Sequence, residues 1–163
     1  MSASDMPIAT LSELALDDWS QGDFFSAKDA AFGDLLKLKK LGIGYNEVQP
    51  GKSACPFHCH HNEEEIFVIL EGKGTYRYGQ NKVSFSAGDV LGAPTGGPET
   101  AHQIINTGSM TLKYLAIANK SETEVCEYPD SGKFQVTSYK PGGRLRHCGR
   151  ESENHVNYWD GEA

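Results

Sequence analysis

Residues 51–72 read Gly-Lys-Ser-Ala-Cys-Pro-Phe-His-Cys-His-His-Asn-Glu-Glu-Glu-Ile-Phe-Val-Ile-Leu-Glu-Gly. His58 and His60 stand two apart. In an extended chain residues i and i+2 share a face, so both imidazoles can point one way while Cys59 points the other. Glu63, Glu64 and Glu65 follow a short turn and open the apolar run Ile66 to Leu70. One of these carboxylates can fold back beside the histidines. His61 should alternate outward. The remaining acidic residues of the triplet suit a solvated turn, or acceptors for the histidine rings.

Some forty residues on, Ala101-His102-Gln103-Ile104-Ile105-Asn106 places a third histidine on a strand-like segment with apolar neighbours. Three neutral imidazoles and one carboxylate make a donor set for one divalent transition metal: Zn, Fe, Mn, Ni or Co. Such a set leaves positions for water or substrate, which suits a reactive centre better than a closed structural one.

Short β-like runs surround this stretch: Leu41–Val48, Ala54–His60, Ile66–Leu70, Gly74–Tyr78, Val83–Phe85, Asp89–Ala93, Ala101–Ile105 and Leu112–Ala118. Pro50-Gly51, Gly72-Lys73-Gly74, Gly79, Gly88, the 94–98 loop and Gly108 break them. Glycine is 18 of 163 residues, above the usual roughly 7%, so many tight turns are implied. Eight short strands at this spacing predict an all-β sandwich or barrel. Thr10 and Glu13 have capping-box spacing, so Leu11–Asp18 is expected as one short helix. The division expected is an irregular, acidic N-terminal arm (1–34), a barrel (35–120) and a C-terminal tail (121–163). The tail holds one more possible strand, Phe134–Thr137, and packs on the barrel or on a partner subunit.

The two histidine segments resemble the motifs of the cupin superfamily. His58-x-His60-x4-Glu65-x6-Gly72 matches the first motif, with one extra residue between Gly51 and His58. The x6-Gly72 spacing selects Glu65 rather than Glu64. Gly88-x5-Pro94-x-Gly96 and His102-x3-Asn106 match the second, with five residues between Gly96 and His102 where the family has two. Glu99 occupies the strict register. His102 keeps the spacing to Asn106, and a three-residue loop insertion is cheap. The resemblance implies a double-stranded β-helix, or jelly-roll barrel, with metal ligands His58, His60, Glu65 and His102 inside it. The tail, with Tyr128 to Lys133 and Tyr158 to Glu162, is similar to that of single-domain bacterial cupins, some of which carry the label sugar-phosphate isomerase. That label rests on fold analogy.

The function expected is metal-dependent action on a small oxygen-rich metabolite, leaning towards an enzyme of the isomerase kind. An Fe(II) dioxygenase and a non-enzymatic binding cupin are the alternatives. No residue stands out as a general base. The formal net charge is −7, which argues against nucleic acid or an anionic membrane surface as a partner. No run approaches the roughly 18 apolar residues of a membrane span, and the N-terminus lacks the basic start of a signal peptide. A cytoplasmic chain is therefore expected, with Cys55, Cys59, Cys126 and Cys148 as free thiols. Asn106 is expected to stabilise a turn. Lys140, Arg144, Arg146 and Arg150 form a basic stretch that could hold an anion or pair with acidic surface, and Tyr158 and Trp159 are apolar anchors. A small barrel with exposed sheet edges predicts a homodimer.

Overall fold

The computed structural model describes residues 6–162, without the side chains of Lys140 and Asn154. The strands are β1 (Asp17–Gln21), β2 (Phe25–Ala31), β3 (Leu41–Val48), β4 (Cys59–His60), β5 (Glu65–Glu71), β6 (Lys73–Tyr78), β7 (Asn81–Ser86), β8 (Val90–Ala93), β9 (His102–Ile105), β10 (Leu112–Asn119), β11 (Thr123–Tyr128), β12 (Lys133–Lys140) and β13 (Gly143–Gly149). No helix among the described residues is long and apolar enough to cross a membrane.

One sheet runs β1-β2-β3-β10-β5-β8. Two shorter sheets, β7-β6-β9 and β13-β12-β11-β4, are joined by one antiparallel bridge between His58 and His102. The two residues exchange both backbone hydrogen bonds, at 3.1 and 2.7 Å, as a hydrogen-bonded antiparallel pair does. Two of the predicted ligands therefore form the seam of the second layer. Phe67 and Ile69 of β5, Tyr76, Phe85, Ile104, Val48, Leu112 and Tyr114 fill the interior between the layers. β10 lies between β3 and β5, which accounts for its apolar run.

Three segments differ from expectation. Of the expected Leu11–Asp18 helix, Leu11–Glu13 alone forms a helical turn, of 3-10 type, and Thr10 makes no side-chain cap. The chain then enters β1, where alternation wins: Trp19 packs on the core, and its indole donates to Asp29 at 2.8 Å. The arm thus adds β1 and β2 to the main sheet. The Ala54–His60 strand shrinks to Cys59–His60, because Pro56 has no N–H for a ladder. The tail carries three antiparallel strands where one was expected.

Two loops hold the barrel in register. Gly72 turns β5 into β6 with φ of 86°, and a Cβ there would lie 3.0 Å from the Thr111 carbonyl oxygen. Asn106 is fully buried. Its amide donates to the carbonyls of Val48 (2.7 Å) and Met110 (2.8 Å), and its oxygen accepts from the Gly108 N–H at 3.0 Å. It is the turn-stabilising residue expected. Asn106→Ala would strand three backbone groups, the Val48 carbonyl buried and the other two partly so, each worth about 1–3 kcal/mol where water cannot replace the partner. We expect a loss of roughly 3 kcal/mol or more, read by urea denaturation; an unchanged midpoint would refute this role.

Candidate metal centre

The second layer supplies three imidazoles, and β5 of the first supplies the carboxylate. His58 precedes β4, His60 lies in it, and His102 opens β9. Glu65 opens β5, with Ala118 and Ala93 as its cross-strand neighbours. These small side chains leave room for the carboxylate. One donor atom from each of His58, His60, Glu65 and His102 lies within 4.8 Å of the others. Glu65 Oε2 is 3.0 Å from His102 Nε2, 3.3 Å from His60 Nε2 and 3.8 Å from His58 Nε2. Phe67 packs beside the His102 ring, with centroids 5.6 Å apart.

Partners behind the rings orient them. His58 Nδ1 lies 2.8 Å from the Pro56 carbonyl oxygen. A carbonyl only accepts, so Nδ1 carries the proton and the Nε2 lone pair faces inward. His60 Nδ1 lies 3.2 Å from Cys126 Sγ and 3.7 Å from Glu124 Oε1. His60 Nε2 and His102 Nδ1 are buried without a hydrogen-bond partner. An orphaned inward-facing imidazole nitrogen is costly in a protein interior, and an ion at the centre would satisfy that of His60. The donor set and this orphaned atom both fit a divalent transition metal.

The electrostatics agree. Burial lowers the His58 pKa to about 4, with further help from His102 and His60, so the ring is neutral. Burial opposes a charge on His60 too, but contacts to Cys126 and Glu65 outweigh it and raise this pKa to about 10. Burial also opposes charge on Glu65, yet His102 and His60 hold its carboxyl well below the usual range. Without a metal, the centre is a buried carboxylate paired with one imidazolium.

The other sequence candidates sit outside this group. Glu99 is exposed and accepts from the Gly97 N–H within the inserted loop, so His102 is the inward residue. Glu64 is exposed, and Glu63 accepts from the Ser121 N–H. His61 turns out to Glu127, at 2.7 Å. Cys55, Cys59, Cys126 and Cys148 are free thiols, with Cys59 packed against Phe57 and Ala101. Gln103 is buried and donates to the Cys55 carbonyl at 2.9 Å. The described basic side chains are engaged near home: Arg146 on Gln135, Arg150 on the Ser131 carbonyl and Glu153, and Arg144 over the Tyr139 ring.

Sequence reasoning missed Glu124, Cys126 and Tyr128. These alternate residues of β11 all face the histidines. Glu124 and Cys126 stand behind His60, forming with it a second cluster of donor atoms. Tyr128 stacks near His58 at 6.1 Å, and burial raises its phenol to about 12. Their i, i+2, i+4 spacing was the available signal.

The sequence pattern of the cupin domain matches residues 44–118. A candidate sugar phosphate isomerase of Acidithiobacillus ferrooxidans superposes with a TM-score of 0.77 at 26% identity, over 93% of this chain and 96% of its own. The oxalate-binding protein of Thermotoga maritima is 37% identical over 71 residues, which are 44% of this chain and 55% of that protein. Auxin-binding protein 1 of Arabidopsis thaliana is 28% identical over 130 residues, 76% of this chain and 64% of that protein. The chain spans less than two thirds of the length of the curated relatives it matches. Residues 44–118, which carry both histidine segments, thus match the cupin domain, and the chain shares its fold over nearly its whole length with the Acidithiobacillus protein.

Proposed function

We propose that this chain is a mononuclear divalent-metal cupin acting on a small oxygen-rich metabolite, as an isomerase of the sugar-phosphate kind. The convergence of one donor atom each from His58, His60, Glu65 and His102 within 4.8 Å of one another carries the reading. Bound there, the ion would polarise a substrate oxygen as a Lewis acid. Pro56 and Cys126 keep the inward nitrogens of His58 and His60 aimed. Tyr128 retains its phenolic proton and offers a donor beside His58. The extent of the likeness to the Acidithiobacillus protein supports the isomerase assignment.

The test is elemental metal content of chain purified without chelator, beside His58→Ala/His60→Ala. About one equivalent in the wild type, lost in the variant, is expected. Metal-loaded wild type should then interconvert aldose and ketose phosphates, and the variant should not. Iron with oxygen uptake would replace the isomerase by a dioxygenase. No metal, before or after reconstitution, would overturn the central assignment.

A binding role is the second reading. Two of the groups beside the ligands are held neutral: burial raises the Cys55 thiol and the Tyr128 phenol each to about 12. Relatives named for binding oxalate and auxin fit such a site. Saturable metabolite binding without turnover would select it.

We also propose a homodimer in the cytoplasm. Tyr139, Leu145, Val156, Tyr158 and Trp159 are exposed in the C-terminal segment, and Tyr158 and Trp159 touch each other at 4.8 Å. Light scattering at micromolar concentration should give twice the chain mass; a monomer would refute pairing.

A further inference from the structure

A chain of net charge −7 gathers three cations around one cleft of about 470 Å³. Arg77, Lys82 and Lys133 line it, with Asp130 as the single acid. Arg77 is already committed. Its guanidinium forks onto Asp130 at 2.5 and 2.7 Å and lies 3.6 Å over the Phe57 ring. Lys82 is directly opposite Arg77 in the β6–β7 ladder, a like-charge pairing that strands avoid unless an anion is shared. Lys133 Nζ stands 5.3 Å over the Tyr128 ring. Among the described residues, neither lysine forms an ion pair.

The walls between these amines are flat and apolar. Phe24 and Phe25 meet edge to face at 5.1 Å, Phe57, Tyr128 and Ile105 add apolar surface, and Gln103 and Ser131 are the polar neighbours. Two ammonium groups without an ion pair, beside aromatic side chains, select a negative group on a planar body. The cleft also touches the back of the metal centre. Pro56, whose carbonyl holds His58 Nδ1, lines it, as does Tyr128, whose ring stacks near His58.

We propose that this cleft is a second ligand site, taking a small organic anion with a flat apolar body, its charge between Lys82 and Lys133 and its plane against Phe24 and Phe25. The site does not depend on a bound metal.

Calorimetric titration with 2-naphthoate tests it. Wild type should bind one equivalent. Lys82→Gln/Lys133→Gln, changes at solvent-reachable amines checked for fold by circular dichroism, should weaken binding at least tenfold, as should the neutral probe 2-naphthamide. Inorganic phosphate, lacking the flat body, should bind at least tenfold more weakly than naphthoate. His58→Ala/His60→Ala should bind naphthoate within twofold of wild type, which separates this site from the metal assignment. No binding at millimolar naphthoate, equal binding by the double-lysine variant, or loss confined to the histidine variant would each overturn the proposal.

Discussion

Glu65→Gln is expected to weaken divalent-metal binding by more than the 10–100-fold that follows loss of a partner behind a ligand, and to flatten the pH response of the metal-free chain. The metal-free centre stores one proton on His60, whose pKa is raised to about 10 because Cys126 and Glu65 outweigh burial. A raised histidine contributes stability in full below its unfolded value, near 6.5, and loses it as pH climbs towards about 10. Glu65 is depressed, so its contribution is present above about 4.5 and disappears as pH falls. His58, lowered to about 4, works the other way: its neutral folded form becomes less costly as pH rises from 4 to 6.5. Above 6.5 only the His60 contribution among these three is still changing. Metal-free wild type should therefore lose several degrees of Tm between pH 6.5 and 10, where each kcal/mol is worth roughly 3 °C for a chain of this size. Glu65→Gln removes a support of that proton and should show a smaller fall.

The same proton governs metal uptake. An ion at the centre needs the His60 Nε2 lone pair, so the imidazolium must give up its proton. Glu65 is already ionised and His58 already neutral, so neither adds to the release. Apparent affinity should rise about tenfold per pH unit from this one proton while His60 is charged. Calorimetry in two buffers of different ionisation enthalpy reads the proton directly. Affinity that stays flat from pH 6.5 to 9 would show that His60 holds no proton in the metal-free chain and would refute its raised pKa.

The clustering of the three histidines with Glu65 was legible because its signals are local and periodic. His58 and His60 share a face by the simple alternation of extended chain. Glu65 lies at the start of an apolar strand, whose following inward residues, Phe67 and Ile69, fix its side. The decision between Glu99 and His102 turned on whether the loop or the strand keeps its spacing. The strand did, because Asn106 is pinned by three hydrogen bonds while the loop at 97–101 is free to lengthen.

What stayed hidden depends on distant pairing. β1 looks acidic and irregular until Trp19 is seen on the core, with its indole on Asp29 of the neighbouring strand. The C-terminal segment has prolines and glycines at its turns, and its last strand is exposed along nearly its whole length, so no apolar alternation marks β13. β11 alternates buried Glu124 and Cys126 with partly covered neighbours. Its inward face is polar because it meets a polar centre, and hydrophobic periodicity does not register such a strand.

That polar face sets the second large effect. Glu124→Ala should both destabilise the chain and weaken metal binding. The buried carboxylate accepts from the His61 N–H at 2.8 Å and the Asn62 N–H at 3.1 Å, clamping the turn that follows His60, and sits 3.7 Å from His60 Nδ1. Loss of the acceptor leaves the Asn62 N–H unpaired, worth about 1–3 kcal/mol if it stays buried, while the His61 N–H keeps only its bond to the Val125 carbonyl at 3.0 Å, and it frees the His60 ring to rotate. Metal affinity should fall 10–100-fold, the cost of losing a group that orients a ligand. Two gentler changes separate the fold from the centre. Glu124→Gln keeps an oxygen for the turn and removes the charge behind His60. Cys126→Val removes the acceptor 3.2 Å from Nδ1 at similar volume, while Cys126→Ser keeps one. Urea midpoints near wild type, with metal affinity lowered by Cys126→Val and restored by Cys126→Ser, are the expected pattern. If Cys126→Val and Glu124→Gln both bind metal as tightly as wild type, β11 only covers the centre and His60 is aimed by the strand backbone alone.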